Sequence, residues 1–421
     1  MKILFIHPNM PGQYRNLCRK AAEDPNNTVV FLTKPTKVEI PGVHKVEYQV
    51  SRNAMPTTHR YLIGSEKSVL QGQEVWRVCK KLQTEEGFTP DIVVAHPGWG
   101  DCLYLKDLWP NTPLLSYFEF YYRAYGADVG FDPADPITDD DKARVRTKNI
   151  TNLLNLEACD WGISPTQWQK SLHPQEYHHK ITVLHDGVDT EACHPDPNVS
   201  VTLPNGRQFK YGDEVVTYIA RNFEPYRGLP TFMQAAEIIQ KNRPNCHIIA
   251  IGAEGVSYGR HLPKGQTYLD IWKNKVKLDE SRIHFTGTLS YQDMVRVLQL
   301  SMAHIYLTYP FVLSWSALES MATGCLMICS DTQPVREIIR DGYNGLLVDF
   351  FSPDDLARRV EEALDNQEKL KPLRQAARQT VLDRYELDKL LQLHMELIRD
   401  VAQGNPTPLT HEKIEALHAA A

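Results

Sequence analysis

The sequence predicts an α/β protein built from two Rossmann-like domains, and three observations carry that prediction. Short apolar runs alternate with helical patterns along nearly the whole chain, as in parallel sheets whose strands are joined by helices. The runs fall into two sets of about six, one in each half. Between them the rhythm breaks at DTEACHPDPNVSVTLPNGRQFKYGDEV, where Pro195, Pro197 and Pro204 cluster and Asn205-Gly206 is a turn signal that can join a small hairpin. A length of 421 residues also exceeds what one core ordinarily organises.

In chain order, the first set of strands is read at KILFIHP, TVVFLT, HKVEYQV, DIVVAHP, PLLSYFEF and DWGISP. The second is read at VVTYIAR, CHIIAIGA, IHFTGTLS, AHIYLTYP, CLMICSD and GLLVDF. Helices at PDDLARRVEEALDNQ and LDKLLQLHMELIRDVAQ close the chain. The expected division is residues 1–195 and 196–384, with a helix near 385–403 and a loose, Pro-rich tail over 404–421.

Composition narrows the function classes. Hydrophobic residues at 42% and charged residues at 23% are ordinary for a globular protein, and a net charge of -6 argues against a nucleic-acid partner. The eight cysteines are scattered without metal-ligand spacing, so reduced thiols and no metal are expected. The chain opens directly on a strand and has no apolar run near the roughly 18 residues that cross a bilayer, so a cytoplasmic location is expected. Peripheral membrane contact stays open, although Arg15, Arg19 and Lys20 make only a weak basic face.

The most informative stretch is residues 303–324, AHIYLTYPFVLSWSALESMATG. It reads as a buried strand, a Ser-containing loop and a short helix stopped by Gly324. On that helix Ser316, Glu319, Ser320 and Thr323 share one face. The free N–H groups of Leu313, Ser314, Trp315 and Ser316 are aimed at phosphates, and Glu319, one turn in, can accept both hydroxyls of a ribose. An ordinary strand and helix with a solvated Glu fits the same residues. In VVTYIARNFEPYRGLPTF, Arg221 ends a strand and Arg227 precedes a helix, so both cations can neutralise a departing diphosphate.

These motifs resemble those of the family 4 retaining glycosyltransferases of GT-B fold. ESMATGCLMICSD matches the family's signature helix, with Glu319 as the second Glu of its Glu-x7-Glu motif and Phe311 where the first Glu stands. The Arg-x5-Lys-Gly pattern is kept, with Arg227 replacing the Lys. The resemblance implies two domains facing a central cleft and a last helix crossing back to the first. It implies donor contacts by Gly12, Gly252 in HIIAIGAEG, and the Thr288–Leu289 backbone in IHFTGTLSYQDM. DGVDTEACHP, with Asp186 replacing an Asn, matches the interdomain pattern.

The first domain offers two further candidates. Trp99, between two glycines in HPGWG, is a stacking platform for an acceptor, or simply a buried Trp in a tight loop. Glu119, in the aromatic SYFEFYYRAYG, is a substitute for the missing carboxylate, with an ion pair to Arg123 as its rival. Asp139, Asp140 and Asp141 suggest a metal less than a helix start.

The expected function is a retaining, metal-independent transfer of a sugar from a UDP- or GDP-sugar to a hydroxyl of a glycan, lipid or small molecule, without a cofactor. A nucleotide-sugar-binding protein without transferase activity is the alternative, and an epimerase or phosphorylase of the same fold is a further one. Sugar, base, acceptor and oligomeric state are not read from the sequence.

Overall fold

The computed structural model describes residues 1–405 and 407–420. The chain divides into two compact units, residues 1–186 with 388–421, and residues 187–387.

The first unit is a seven-stranded parallel sheet. Its strands are β1 (Lys2–Ile6), β2 (Thr28–Thr33), β3 (Val43–Glu47), β4 (Ile92–Ala95), β5 (Leu114–Tyr117), β6 (Trp161–Ser164) and β7 (Ile181–Val183), in the order β3-β2-β1-β4-β5-β6-β7. Ile3, Leu4, Phe5 and Ile6 are fully buried, because helices cover both faces of such a sheet and its strands read as continuous apolar runs. β7 has only three residues, too short for periodicity to mark it, and was not among the expected strands.

The second unit begins with a hairpin, β8 (Ser200–Thr202) and β9 (Gln208–Lys210), turned at the expected Asn205-Gly206. Its sheet contains β10 (Val215–Asn222), β11 (His247–Ala253), β12 (Ile283–Phe285), β13 (Ala303–Tyr306), β14 (Met327–Ser330) and β15 (Leu346–Val348). The order is β12-β11-β10-β13-β14-β15, all parallel. An additional helix, Gln367–Arg384, carries Pro372 in its second turn, which hides it from a reading that treats proline as a stop.

Two boundaries differ from expectation. The second unit starts at Gly187 rather than at 196, because Val188 N–H bonds the Tyr385 carbonyl at 2.8 Å and Val188 and Cys193 pack in that unit's core. The tail is not loose: Leu409–Ala420 is a helix of the first unit. Ile414 is buried, the Thr410 amide donates to Asp400 at 2.8 Å, and His411 Nδ1 lies 2.8 Å from the Thr182 hydroxyl. Such anchoring overrides a polar, Pro-containing composition.

In each sheet the strand order reverses once, between β1 and β4 and between β10 and β13. Open parallel sheets bind ligands outside the carboxyl ends of their strands at these reversals.

Candidate active site

In the second unit the reversal is occupied by Arg227 and its partners. A single 3-10 turn, Pro225–Arg227, turns the chain back after β10 and buries the guanidinium. Nη1 donates to Thr308 Oγ1 at 2.8 Å, the Val312 carbonyl at 3.2 Å and the Tyr306 hydroxyl at 3.3 Å, and the group lies 5.4 Å from the Tyr258 ring centre. Arg221, at the end of β10, is exposed and makes no side-chain hydrogen bond or ion pair among the described residues. The two arginines are therefore unlike: one is built into the loop, the other is free to meet a ligand.

The loop after β13 leads into the helix Trp315–Ala322. Glu319 is half-buried there, and burial pushes its carboxyl up to about 7 against the opposing hydrogen bond from Tyr291. The Tyr291 hydroxyl is also 3.3 Å from Cys193 Sγ. One expectation fails at this helix. The Ser314 N–H is not open to a phosphate, because it donates to the Tyr306 hydroxyl at 2.8 Å. Leu313 is core, Trp315 is exposed and Ser316 is intermediate.

Phe311 is buried against Tyr226 and Tyr258, with ring centres 5.5 and 4.9 Å away, and Tyr226 stacks on Tyr309 at 4.6 Å. Glu224, absent from the sequence candidates, is fully buried. It accepts from the amides of Ser257, Tyr258 and Gly259 at 3.1, 3.1 and 2.8 Å and so fixes the loop after β11. Its signal was a Glu inside the Arg-x5-Arg stretch. Gly252 lies within β11, where a Cβ would stand 2.5 Å from the Ala220 carbonyl, so close packing accounts for the glycine. Thr288 is exposed and Leu289 packs on the core.

In the first unit the reversal is occupied by histidines. His7 follows β1 and His96 follows β4, their rings 5.6 Å apart. Asn9 N–H donates to His7 Nδ1 and Gly98 N–H to His96 Nδ1, each at 3.0 Å. With Nδ1 accepting, each ring carries a proton on Nε2, and both Nε2 atoms are buried without a hydrogen-bond partner. Burial first, then His96, lowers the His7 pKa to about 3.

Glu119 faces this pair. Oε1 accepts from Gln13 at 3.3 Å, and Oε2 is 3.6 Å from His96 Nε2, outside hydrogen-bond reach. Burial, the largest influence, would raise its pKa, but His96, His7 and Gln13 together outweigh it and hold it below the usual range. Arg123 is not its partner; it donates to the Leu172 carbonyl at 2.6 Å. Trp99, 37% exposed, rests on His7 and His96 at 4.9 and 4.6 Å. Gly12 has φ 51°, and a Cβ there would stand 2.6 Å from the His7 ring, so the turn after β1 requires glycine. The histidines were missed in the sequence, although both strands end in His-Pro. Asp139–Asp141 start a helix capped by Thr138, as expected.

Among the described residues no group of three or more His, Cys, Asp or Glu side chains is placed to hold a metal ion, and no helix is long and apolar enough to cross a membrane.

Residues 25–193 match a family described as glycosyl transferase family 4 group, and residues 204–380 match glycosyl transferases group 1. EpsD of Bacillus subtilis, named as a glycosyltransferase, is 27% identical over 198 residues, 47% of this chain and 48% of that protein. An uncharacterized glycosyltransferase of Methanocaldococcus jannaschii is 24% identical over 158 residues, 37% of this chain and 38% of its own. The chain thus spans less than half the length of these curated relatives. Sucrose-phosphate synthase from Thermosynechococcus elongatus superimposes with a TM-score of 0.72 at 15% identity, covering 96% of this chain and 100% of that one. Anabaena HepE in complex with UDP-glucose gives 0.64 at 14% identity, covering 94% and 98%. The fold is that of these GT-B proteins.

Proposed function

We propose, from the premise that this chain belongs to the group 1 glycosyl transferases with a family 4 amino-terminal half, that it moves a sugar from a nucleoside-diphosphate donor to an acceptor hydroxyl. The observation that carries the reading is the reversal of the second sheet, where an unpaired Arg221 ends β10 and a preorganised Arg227 holds the loop that leads into the helix of Glu319. UDP is the favoured nucleotide, because HepE, alike in fold, holds UDP or UDP-glucose.

In this reading Arg221 takes up charge on the departing diphosphate, Arg227 holds the loop that faces it, and Glu319 accepts from the ribose. The bond from the anomeric carbon to the diphosphate breaks as the bond to the acceptor oxygen forms. The acceptor's proton passes to a donor phosphate oxygen, configuration is retained, and no metal takes part. Glu119, anionic beside His96 in the first unit, is the carboxylate that serves the acceptor. Preorganised cations at a developing anion contribute several kcal/mol to such a barrier.

A thermal-shift series with UDP, GDP, ADP and their glucose, N-acetylglucosamine, galactose and mannose conjugates tests the donor site. A ligand at a hundred times its dissociation constant adds about 2.7 kcal/mol of stability. One nucleotide series should raise the melting temperature, with the shift lost in Arg221→Ala and Glu319→Ala; no shift from any nucleotide would sink the donor site.

The second reading, nucleotide-sugar binding without transfer, draws on Phe311, which places an aromatic ring between Tyr226 and Tyr258. Phe311→Glu should change rate or donor preference while bare-nucleotide affinity, measured by calorimetry, stays nearly unchanged. A large loss of nucleotide affinity would remove Phe311 from the sugar end of the site.

A further inference from the structure

We infer that the first unit holds its acceptor by a phosphate ester seated in a basic pocket beside Trp99, an inference that rests on the glycosyltransferase reading. The pocket has a volume of about 540 Å³, ample for a phosphate with a sugar ring attached. Its wall brings together Lys34, Arg52, Arg60, Lys67, Arg144 and Lys148, and contains no Asp or Glu. Lys34 follows β2, Arg52 follows β3 and Trp99 follows β4, so the pocket opens at the carboxyl ends of the strands, next to the reversal.

The charges divide in two. Each arginine has a carboxylate partner: Arg52 pairs with Glu66 at 2.6 Å, Arg60 with Asp140, and Arg144 with Asp141 at 3.3 Å. The three lysines have none within ion-pair distance among the described residues. Lys148 lies 3.5 Å from the Tyr122 ring centre, and burial lowers its pKa to about 8 against the opposing charge of Asp128, which keeps it cationic at neutral pH. Three ammonium groups without an ion-pair partner line one cavity whose wall carries no carboxylate, so the cavity attracts an anion. A phosphate monoester suits them because it carries nearly two charges at neutral pH.

Trp99 sets the direction. It lines the pocket and at the same time rests on His7 and His96. A ligand whose phosphate lies among the lysines can stack a sugar ring on the indole and extend a hydroxyl toward Glu119. A phosphorylated sugar in solution and a phosphorylated lipid headgroup share this chemistry.

Calorimetry on the full chain at low salt, with glucose 6-phosphate against glucose, tests the soluble source. Co-sedimentation with phosphatidylcholine vesicles, with and without phosphatidic acid, tests the lipid source. Binding in either arm that needs the phosphate supports the pocket, and the arm that responds assigns the source. Lys67→Gln with Lys148→Gln should weaken that binding by about tenfold per lysine while UDP affinity, read in parallel, is unchanged. Glucose binding as tightly as its phosphate, with vesicles indifferent to phosphatidic acid, overturns the inference; so does a double variant that binds like the parent. Failure of phosphate with UDP binding intact removes the pocket alone. Phosphate binding without any UDP binding removes the acceptor role together with the glycosyltransferase reading.

Discussion

The two sheets reverse their strand order in the same way, yet they furnish the reversal with opposite chemistry. In the second unit, Arg227 has every acceptor around it arranged: a hydroxyl at 2.8 Å, a carbonyl at 3.2 Å and a phenol at 3.3 Å. In the first unit, His7 and His96 leave both Nε2 atoms without a partner beside Glu119. A permanent cation without its partners is too costly to bury, so Arg227 is locked before any ligand arrives. A neutral imidazole costs less to leave unsatisfied, so a site can keep its donors in reserve for a hydroxyl. The second reversal thus holds a fixed, fully partnered cation, whereas the first keeps two imidazole donors unpaired.

The sharpest way to break this comparison is to remove the lock. Arg227→Ala takes the donor from the Thr308 hydroxyl and the Val312 carbonyl and leaves a cavity in their place, and should cost on the order of 3 kcal/mol in urea denaturation. A change below about 0.5 kcal/mol would show that the guanidinium is not structural.

Acid should act on the first site. A folded pKa of about 3 for His7, below its ordinary 6.5, means that the unfolded chain binds the proton and the native one does not. The stability contributed by neutral His7 is present above pH 6.5 and is lost as pH falls toward 3, by on the order of 3 kcal/mol. Melting of His7→Gln between pH 7 and 5 should show a shallower fall than the parent; an equal fall would relieve His7 of that role.

Glu319 should respond with the opposite sign. Its folded pKa of about 7 exceeds the ordinary 4.5, so between these values the unfolded chain ionises first and stability falls as pH rises. The loss should reach on the order of 2 kcal/mol, reduced from the full shift because the group is partly exposed. Nucleotide affinity should rise over the same range, since a protonated carboxyl cannot accept from both ribose hydroxyls. Glu319→Gln should flatten both curves, and a parent whose nucleotide affinity is independent of pH would contradict the ribose assignment.

The smallest effect on stability belongs to Arg221→Ala, within about 0.5 kcal/mol, because the exposed side chain has nothing to release. Nucleotide binding should nonetheless weaken by about tenfold or more, as for one lost charged hydrogen bond. This split between stability and affinity separates Arg221 from Arg227.

The sequence by itself determined the two parallel sheets, because strands buried on both faces must be apolar throughout and the alternating helices leave no other economical arrangement. It also determined that Arg221 ends a strand and that Arg227 and Glu319 follow strands, which places them at the carboxyl edge where open parallel sheets bind ligands. Tertiary structure alone decided which arginine is buried, that Tyr306 takes the Ser314 N–H, and that Glu224 ties down a loop more than thirty residues away. It alone assembled His7, His96 and Glu119, which lie 89 and 23 residues apart along the chain. It alone packed the helix Leu409–Ala420 against the first unit. The physical reason is common to all of these: strand and helix patterns are local and leave a periodic trace, whereas a buried polar group is defined by the partners that long-range folding brings to it.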